Sequence, residues 1–472
     1  MDLRLDETVF RTIGKTSVQL DIKAYVVGGY VRDRLLQRNS ADIDVVVLGS
    51  GIEFAQEFVK RSPEKANLTV FKSFGTARVD LEGLEVEFVG ARKESYRADS
   101  RKPIVEDGTL DEDLARRDFT INALAAQLPP GPSGTSEVID LFGGLEDLSN
   151  KLIKTPLDPV TTYSDDPLRM LRAIRLASQL GFSIETSSFE AIRSCRERIS
   201  IISAERIRDE LNKIILSPVP SIGFKHLFNS GLLRIIFPEM ENLQGVDIIE
   251  GKSHKDNFYH TLDVLDNVSR HSEDLWLRWA AILHDIAKPV TKRFDKQNGF
   301  SFHGHEDKGS RMVSKIFSKF HLPMGEHMKL VEKLVLLHLR PIVLARETVT
   351  DSAVRRLLFE AGDAIDSLMI LCHSDVTTKN EYRARKYRDN FELVRTKLKQ
   401  VEERDRVRNW QPPLSGSDIM DIFRIKEGRE VGQLKNIIRE AILDGEIANE
   451  RDAALKLLLK KGQEMGLQPF LT

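Results

Sequence analysis

Residues 25–49 read YVVGGYVRDRLLQRNSADIDVVVLG, and three elements follow one another there in a fixed order. An apolar run ends in Gly28-Gly29, a helix carries Val31-Arg32-Asp33, and a second apolar run opens with Asp42-Ile43-Asp44. Glycines let a backbone approach a triphosphate closely, and the free N–H groups of a helix start point at phosphate oxygens. Arg32 adds a charge-assisted donor nearby. Two aspartates two residues apart on a strand face the same side. Two carboxylates on one face suit a pair of Mg²⁺ ions, one for an attacking hydroxyl and one for a leaving group. A GG turn or a DxD alone is weak; together, on successive elements, they point to phosphate chemistry.

Outward from this stretch, the first ~150 residues alternate β-branched runs with helical ones, the pattern of an α/β layer. Strands are expected at Ala24–Val27, Asp44–Leu48, Leu68–Phe71, Ala77–Asp80 and Leu84–Val89. A hairpin is expected at LPPGPSGTSE before the strand VIDLF. Glu87, in LEVEFVGAR, is the expected third metal carboxylate, although Glu85 has the same strand parity. From about Asp165 the chain turns helical, with apolar residues three and four apart in DPLRMLRAIRLASQL and SAERIRDELNKIIL.

The segments GGYVRD, DID, RRDFTINALA (116–125) and DPLRMLRAIRLASQLGF together resemble the bacterial tRNA nucleotidyltransferase and poly(A) polymerase family, class II of the DNA polymerase β superfamily. The likeness covers about the first 220 residues. It implies an α+β protein: a polymerase-β-like mixed sheet head, then a mostly helical neck, body and tail. It places Gly28, Gly29, Arg32, Arg117, Asp118 and Asn122 around a bound nucleotide, with Asp42 and Asp44 as catalytic metal ligands. The substrates implied are CTP, ATP and tRNA, with Mg²⁺ as cofactor and neither DNA nor a membrane as partner.

Asp166 and Arg169 are three apart, hence neighbours on one helical face, and Arg172 extends the row. An aspartate only accepts hydrogen bonds and an arginine only donates. Cytosine and adenine both show an amino donor beside an unprotonated ring nitrogen, whereas uracil and guanine show the reverse. Such a pair therefore fits C and A, and the resemblance implies that role. Asp165 stands where the family more often has Glu. The alternative is a capping aspartate with an i,i+3 ion pair.

Three activities share this head: complete CCA addition, partial CC or A addition, and poly(A) synthesis. SFGTARVDLEG is similar to the tRNA-type strand pair, and the polar stretch from Arg92 to Arg116 resembles the flexible loop of complete enzymes. Both favour CCA addition.

Histidines, sparse before Gly251, cluster from His254 to His373. FYHTLDVLDNV supplies His260, RWAAILHDIAKP supplies His284-Asp285, and HGHEDKGS, LLHLRP and CHSDV supply His305, His338 and Asp375. Imidazoles with carboxylates suit a divalent transition metal. The order H…HD…D resembles the HD phosphohydrolase family, which assigns His260, His284, Asp285 and Asp375 to one metal and leaves His305 and His338 for a second. His226, His271 and His321 are read as core or surface fillers. The expected domains are 1–147 head, 148–250 neck and body, 251–380 HD domain and 381–472 tail. A different class of reading makes the chain an HD phosphohydrolase whose head only binds RNA.

The bulk numbers agree with a folded enzyme. The 472 residues are 41% hydrophobic and 30% charged, with net charge -2 and two cysteines. RNA contact must then come from local basic clusters, such as Arg383, Arg385, Lys386 and Arg388. Two distant cysteines form no disulfide framework. The opening MDLRLDETVF lacks a signal-peptide core, and no run nears the ~18 apolar residues of a membrane span. The expected location is the cytoplasm.

Overall fold

The computed structural model describes all residues except 98–99, 129–133, 345–349, 378–380, 406–407, 409 and 471–472; side chains are also left undescribed at 93–97, 100–105, 381, 383–384 and 386–388. Two compact units form, Met1–Glu241 and Asn242–Thr472.

The first unit is built on one eight-stranded sheet. In chain order its strands are β1 (Asp2–Arg4), β2 (Ala24–Val27), β3 (Asp42–Val47), β4 (Asn67–Phe71), β5 (Thr76–Leu81) and β6 (Leu84–Gly90); β7 (Arg92–Arg97) and β8 (Ser100–Asp107) form a separate ribbon, and β9 (Leu124–Leu128) and β10 (Thr135–Asp140) rejoin the sheet. The spatial order is β1-β10-β9-β2-β3-β6-β5-β4. Only β3 and β6 among these neighbours run parallel, so the sheet is mixed, as an α+β head requires.

Period-2 alternation decides its two faces. Ile43, Val45 and Val47 bury on one side with Val86, Phe88, Val26 and Ala126. There α1 (Thr8–Leu20) and α3 (Gly51–Arg61) cover the sheet, and Phe54 and Phe58 meet Phe88 at ring-centroid distances of 5.4 and 5.1 Å. Residues of opposite parity, Asp42, Asp44, Glu85 and Glu87, fall on the other side. That face has a smaller core of Tyr25, Val27, Val46, Leu110, Leu114 and Ala125.

The remaining helices of this unit are α2 (Gly29–Leu35), α4 (Leu110–Ala115), α5 (Gly144–Ser149), α6 (Pro159–Asp165), α7 (Leu168–Leu180), α8 (Thr186–Cys195), α9 (Ala204–Ile215), α10 (Pro220–Ser230), α11 (Leu232–Ile236) and α12 (Pro238–Glu241). As its spacing predicts, Leu168, Leu171 and Ile174 of α7 are buried.

Two expectations need correction. The neck helix does not open at Asp165: α6 ends there, and α7 begins only at Leu168. Asp166 lies between them at φ -130, ψ 97, because a residue before proline is pushed out of the helical region. The stretch after Arg92 is a paired ribbon followed by α4, whose N-terminus is closed by a Thr109–Glu112 capping box. The hairpin expected at LPPGPSGTSE is borne out by the antiparallel pairing of β9 with β10, while residues 129–133 of that stretch lie outside the described residues.

The second unit is helical: α13 (Asn257–Ser269), α14 (Leu275–Leu283), α15 (Lys288–Thr291), α16 (His305–Lys319), α17 (Glu326–Leu337), α18 (Arg340–Leu344), α19 (Asp351–Ala361), α20 (Ile365–Asp375), α21 (Glu381–Asp405), α22 (Gly416–Phe423), α23 (Arg429–Asp444) and α24 (Arg451–Glu464). The last three helices share a core of their own. No helix among the described residues is long and apolar enough to cross a membrane.

Candidate active site and candidate metal centre

At the end of β2 the chain turns through Gly28 at φ +75 and enters α2. A Cβ there would sit 2.8 Å from Arg117 Nη1 and 3.4 Å from Asp44 Oδ2. Glycine is thus required twice, by its backbone angle and by the groups crowding it. Register then sets the carboxylates. Asp42 stands opposite Glu85 and Asp44 opposite Glu87 on the parallel pair β3–β6. The two glutamates of equal parity differ in their surroundings. Glu85 lies 3.4 Å from Arg78 Nη1, whereas Glu87 interacts with Asp44 and Thr76.

Electrostatics mark this spot. Burial pushes the Asp44 carboxyl up, Asp42 adds to the shift, and Arg117 opposes it. Burial also raises Glu87, and the Asp44 charge raises it further. Carboxylates that disfavour one another's charge suit a divalent cation.

Basic groups surround them in a fixed lattice. Fully buried Asp113 accepts from Arg116 Nη2 at 2.6 Å and from Arg117 Nη2 at 3.1 Å. Asp118 accepts from Asn122 Nδ2 at 3.0 Å and pairs with Arg172 Nη2 at 2.7 Å. Burial alone would raise Asp118, but Arg172 and the Asn122 hydrogen bond outweigh it, so its carboxyl titrates below the ordinary value. Asn122 Oδ1 in turn accepts from Arg32 Nη1 at 2.7 Å, and Arg32 grips Asp33 through Nε and Nη2 at 2.9 and 2.8 Å. One chain of bonds therefore joins the glycine turn, RRDFTIN and α7.

Asp166 and Arg169 do not form the i,i+3 ion pair of the alternative reading, nor do they lie on one continuous helix. Asp166 accepts from Leu168 N at 3.2 Å and lies 3.9 Å from Arg206. Arg169 donates to the Arg116 carbonyl at 2.7 Å. The break at Pro167 takes Asp166 off the helical face. Arg172 likewise turns to Asp118 and does not extend an Asp166 row.

In the second unit, six predicted residues converge. His260 comes from α13, His284 and Asp285 follow α14, His305 opens α16, His338 follows α17, and Asp375 ends α20. Three imidazoles are locked alike, since a carbonyl can only accept: Nδ1–H of His284, His305 and His338 donates to the carbonyls of Ala281, Phe302 and Val335 at 2.8, 2.7 and 2.6 Å. Their Nε2 atoms are left to face the centre. His260 Nδ1 meets Thr377 Oγ1 at 3.0 Å.

Two trios result, His260–His284–Asp285 and Asp285–His305–His338, each with ligand atoms within 4.8 Å of one another and with Asp285 in both. Asp375 Oδ1 lies 2.8 Å from His260 Nε2 and 3.7 Å from His284 Nε2. Among the described residues, the buried atoms His284 Nε2 and Asp285 Oδ1 make no well-directed hydrogen bond, although His284 Nε2 lies 3.2 Å from Asp285 Oδ2 and His305 Nε2 lies 3.2 Å from Asp285 Oδ1. Orphaned buried polar atoms are costly, and a metal ion would satisfy both. Burial works to lower the pKa of His284, but Asp285 and Asp375 drive it up to about 10. Burial and the neighbouring His284 bring His338 down to about 4. Among the described residues, the head carboxylates form no such closed group.

Sequence reasoning passed over Asp113 and Lys288. Asp113 precedes the Arg116-Arg117 pair by three and four residues, and Lys288 follows Asp285 by three, reaching Oδ2 at 2.5 Å. Helical spacing was the available signal for both. His226 packs edge-on to Phe189, and His271 edge-on to His373. The described side chains do not include Arg383, Lys386 or Arg388 of the expected basic group.

Comparison with known proteins bears on both sites. Residues 24–154 match the poly A polymerase head domain, 181–244 the probable RNA and SrmB-binding site of polymerase A, and 257–380 the HD domain. The CC-adding tRNA nucleotidyltransferase of Thermus thermophilus is 30% identical over 459 residues, covering 93% of this chain and 94% of that protein. The multifunctional CCA protein of Shewanella frigidimarina is 30% identical over 384 residues, 78% of this chain and 86% of that one. The Bacillus stearothermophilus CCA-adding enzyme, solved in complex with CTP, superposes with a TM-score of 0.66 over 98% of this chain and 99% of its own at 21% identity, a likeness of fold. With relatives of this identity running nearly its whole length, the chain belongs to the tRNA nucleotidyltransferase and poly(A) polymerase family and carries an HD domain.

Proposed function

We propose that this chain adds C, C and A in turn to the 3′ end of tRNA, using CTP and ATP and releasing pyrophosphate. One observation carries the reading above the others. Asp42, Asp44 and Glu87 share a sheet face beside the Gly28 turn, where Arg117 also reaches. Groups suited to the metals and to the triphosphate therefore meet at one place.

Asp42, Asp44 and Glu87 would hold Mg²⁺. When bound there, it lowers the pKa of the attacking 3′-hydroxyl and steadies the leaving pyrophosphate. Gly28 and Gly29 admit the triphosphate, and Arg32 and Arg117 balance its charge. Asp118 and Asn122 keep Arg32 and Arg172 oriented. Asp166 accepts from the amino group of C or A, and Arg169 donates to the adjacent ring nitrogen. Asp166 holds Leu168 N through Oδ1 and Arg169 holds the Arg116 carbonyl through Nη2, which leaves Asp166 Oδ2 and the other Arg169 N–H groups to meet a base, and U or G would leave them mismatched. Support for complete addition comes from the multifunctional relative.

A second activity is favoured by the orphaned atoms of the histidine cluster. His260, His284, Asp285 and Asp375 would hold one divalent transition metal, with His305 and His338 serving a second through the shared Asp285. Such a centre hydrolyses phosphate esters, and the 3′ end of a damaged tRNA is a fitting substrate. The first reading is tested by following pyrophosphate release from CTP with tRNA present. Release that needs tRNA and disappears in Asp42→Asn and Asp44→Asn supports it; release indifferent to both substitutions overturns it.

A further inference from the structure

The C-terminal helices contain a cleft that neither proposed reaction uses. Helix α23 buries Val431, Leu434, Ile438 and Ile442 against α22 and α24. Gly432, Lys435, Asn436 and Arg439 follow one another at i, i+3, i+4 and i+7, hence along one stripe. This stripe lines one side of a cleft of about 300 Å³; Phe359 of α19 and the segment Gln411-Pro412 line the other. Trp410 supports the Phe359 ring edge-on at 5.8 Å, and the Arg439 guanidinium lies 5.8 Å from the same ring.

The chemistry of the lining is selective. No lining residue is a carboxylate. Arg439 is engaged with Glu440 at 3.0 Å, whereas Lys435 has no ion pair among the described residues. Gly432 is the telling position. Inside a helix glycine is the worst residue after proline, and nothing here needs it for packing. A Cβ at Gly432 would meet nothing within 4 Å. What the missing side chain preserves is the open floor of the cleft.

We propose that this cleft docks RNA, taking one unstacked nucleobase together with an adjacent phosphate. Phe359 and Pro412 offer the flat apolar surface on which a base stacks. Gln411 presents a donor and an acceptor to its edge, and Asn436, whose Oδ1 accepts from Arg439, adds its amide N–H donors. Lys435 supplies the cation for the phosphate. An aromatic platform, paired amides and a free cation are what recognition of splayed-out RNA bases uses. The inference rests on the reading that this chain acts on RNA. It locates RNA contact on α23 in addition to the basic group of α21.

The test uses the full chain and fluorescently labelled tRNA lacking its 3′ CCA, with a fully paired RNA duplex as second probe. Gly432→Leu fills the floor while improving helix propensity, so its Tm should not fall. It should weaken tRNA binding about tenfold while leaving duplex binding alone. Lys435→Glu should weaken binding of tRNA and lower its salt slope by about one. Both variants should keep their turnover at saturating tRNA. The proposal is overturned if both bind tRNA within about twofold of the wild type, or if Gly432→Leu alters only the KM for free CTP or ATP. A wild type that extends tRNA while the variants bind normally sinks the cleft alone. A wild type that neither binds nor extends tRNA sinks the underlying reading as well.

Discussion

Asp42 and Asp44 keep solvent access on a sheet face, although the protein packed around Asp44 still raises its carboxyl; strand register brings the two together and arginines from other segments balance them. His284, Asp285 and His338 are 0, 1 and 0% exposed, and each of the two imidazoles is fixed by a hydrogen bond from its far nitrogen. Both are proposed as sites for phosphate chemistry, yet they solve different problems. A head that must admit a new triphosphate and release pyrophosphate at every addition cannot seal its carboxylates. A centre that keeps its own metal gains by rigid, desolvated ligands. The head should therefore take Mg²⁺ with its substrate, and the histidine cluster should retain its metal through purification.

Asp44→Asn is the strongest way to break the contrast. It should lower nucleotide addition by about 10³-fold or more, since a metal carboxylate is lost, while metal content of the second unit stays unchanged. Loss of that metal as well would show that the two sites are not independent. Next in size, Asp285→Ala should abolish metal retention altogether, because both trios share this carboxylate. Removing one partner from a buried charged cluster should also cost about 3–5 kcal/mol. Elemental analysis after gel filtration and a thermal melt read both effects, and full metal retention would contradict the shared role. Thr377→Val is milder. It leaves the ligands in place but removes the partner of His260 Nδ1, so metal affinity should fall by about 10–100-fold. An unchanged affinity in a chelator titration would mean that the ring needs no such support.

The smallest effect concerns the lattice behind the head. The Asp118 carboxyl is held below its ordinary value despite burial. Its contribution is thus complete above the unfolded carboxylate pKa, about 3.9, and is lost as pH falls through the folded value. The Tm difference between wild type and Asp118→Asn should be largest near neutrality and shrink on acidification. A gap that widens in acid would refute the assignment.

Much of this architecture is legible in the amino-acid order, for reasons that differ by region. Strands such as Ala24–Val27 and Leu84–Gly90 announce themselves by β-branched runs and alternation. The order GG, then DxD, then RRD needs no tertiary knowledge, and neither does the crowding of histidines after Gly251. What resists reading depends on long-range partners. Leu124–Leu128 is a central strand between β2 and β10, but LAAQL has an alanine-rich, helix-favouring composition that tertiary pairing overrides. Glu85 and Glu87 have the same parity, and only their neighbours distinguish them. Asp166 and Arg169 are neighbours only on a continuous helix, whereas α6 ends at Asp165 and α7 begins at Leu168, with Pro167 holding Asp166 out of the helical region. Lys288 and Asp113 were visible as spacings, but a spacing acquires meaning only when the partner is known to be buried.

The most direct test of the central claim is incubation of the purified chain with tRNA lacking its 3′ CCA, labelled CTP and ATP, read at single-nucleotide resolution. The account predicts an extension that stops after C, C and A and that requires both nucleotides. A product ending at CC, a requirement for a preformed CC end, a long A ladder or no extension at all would contradict it.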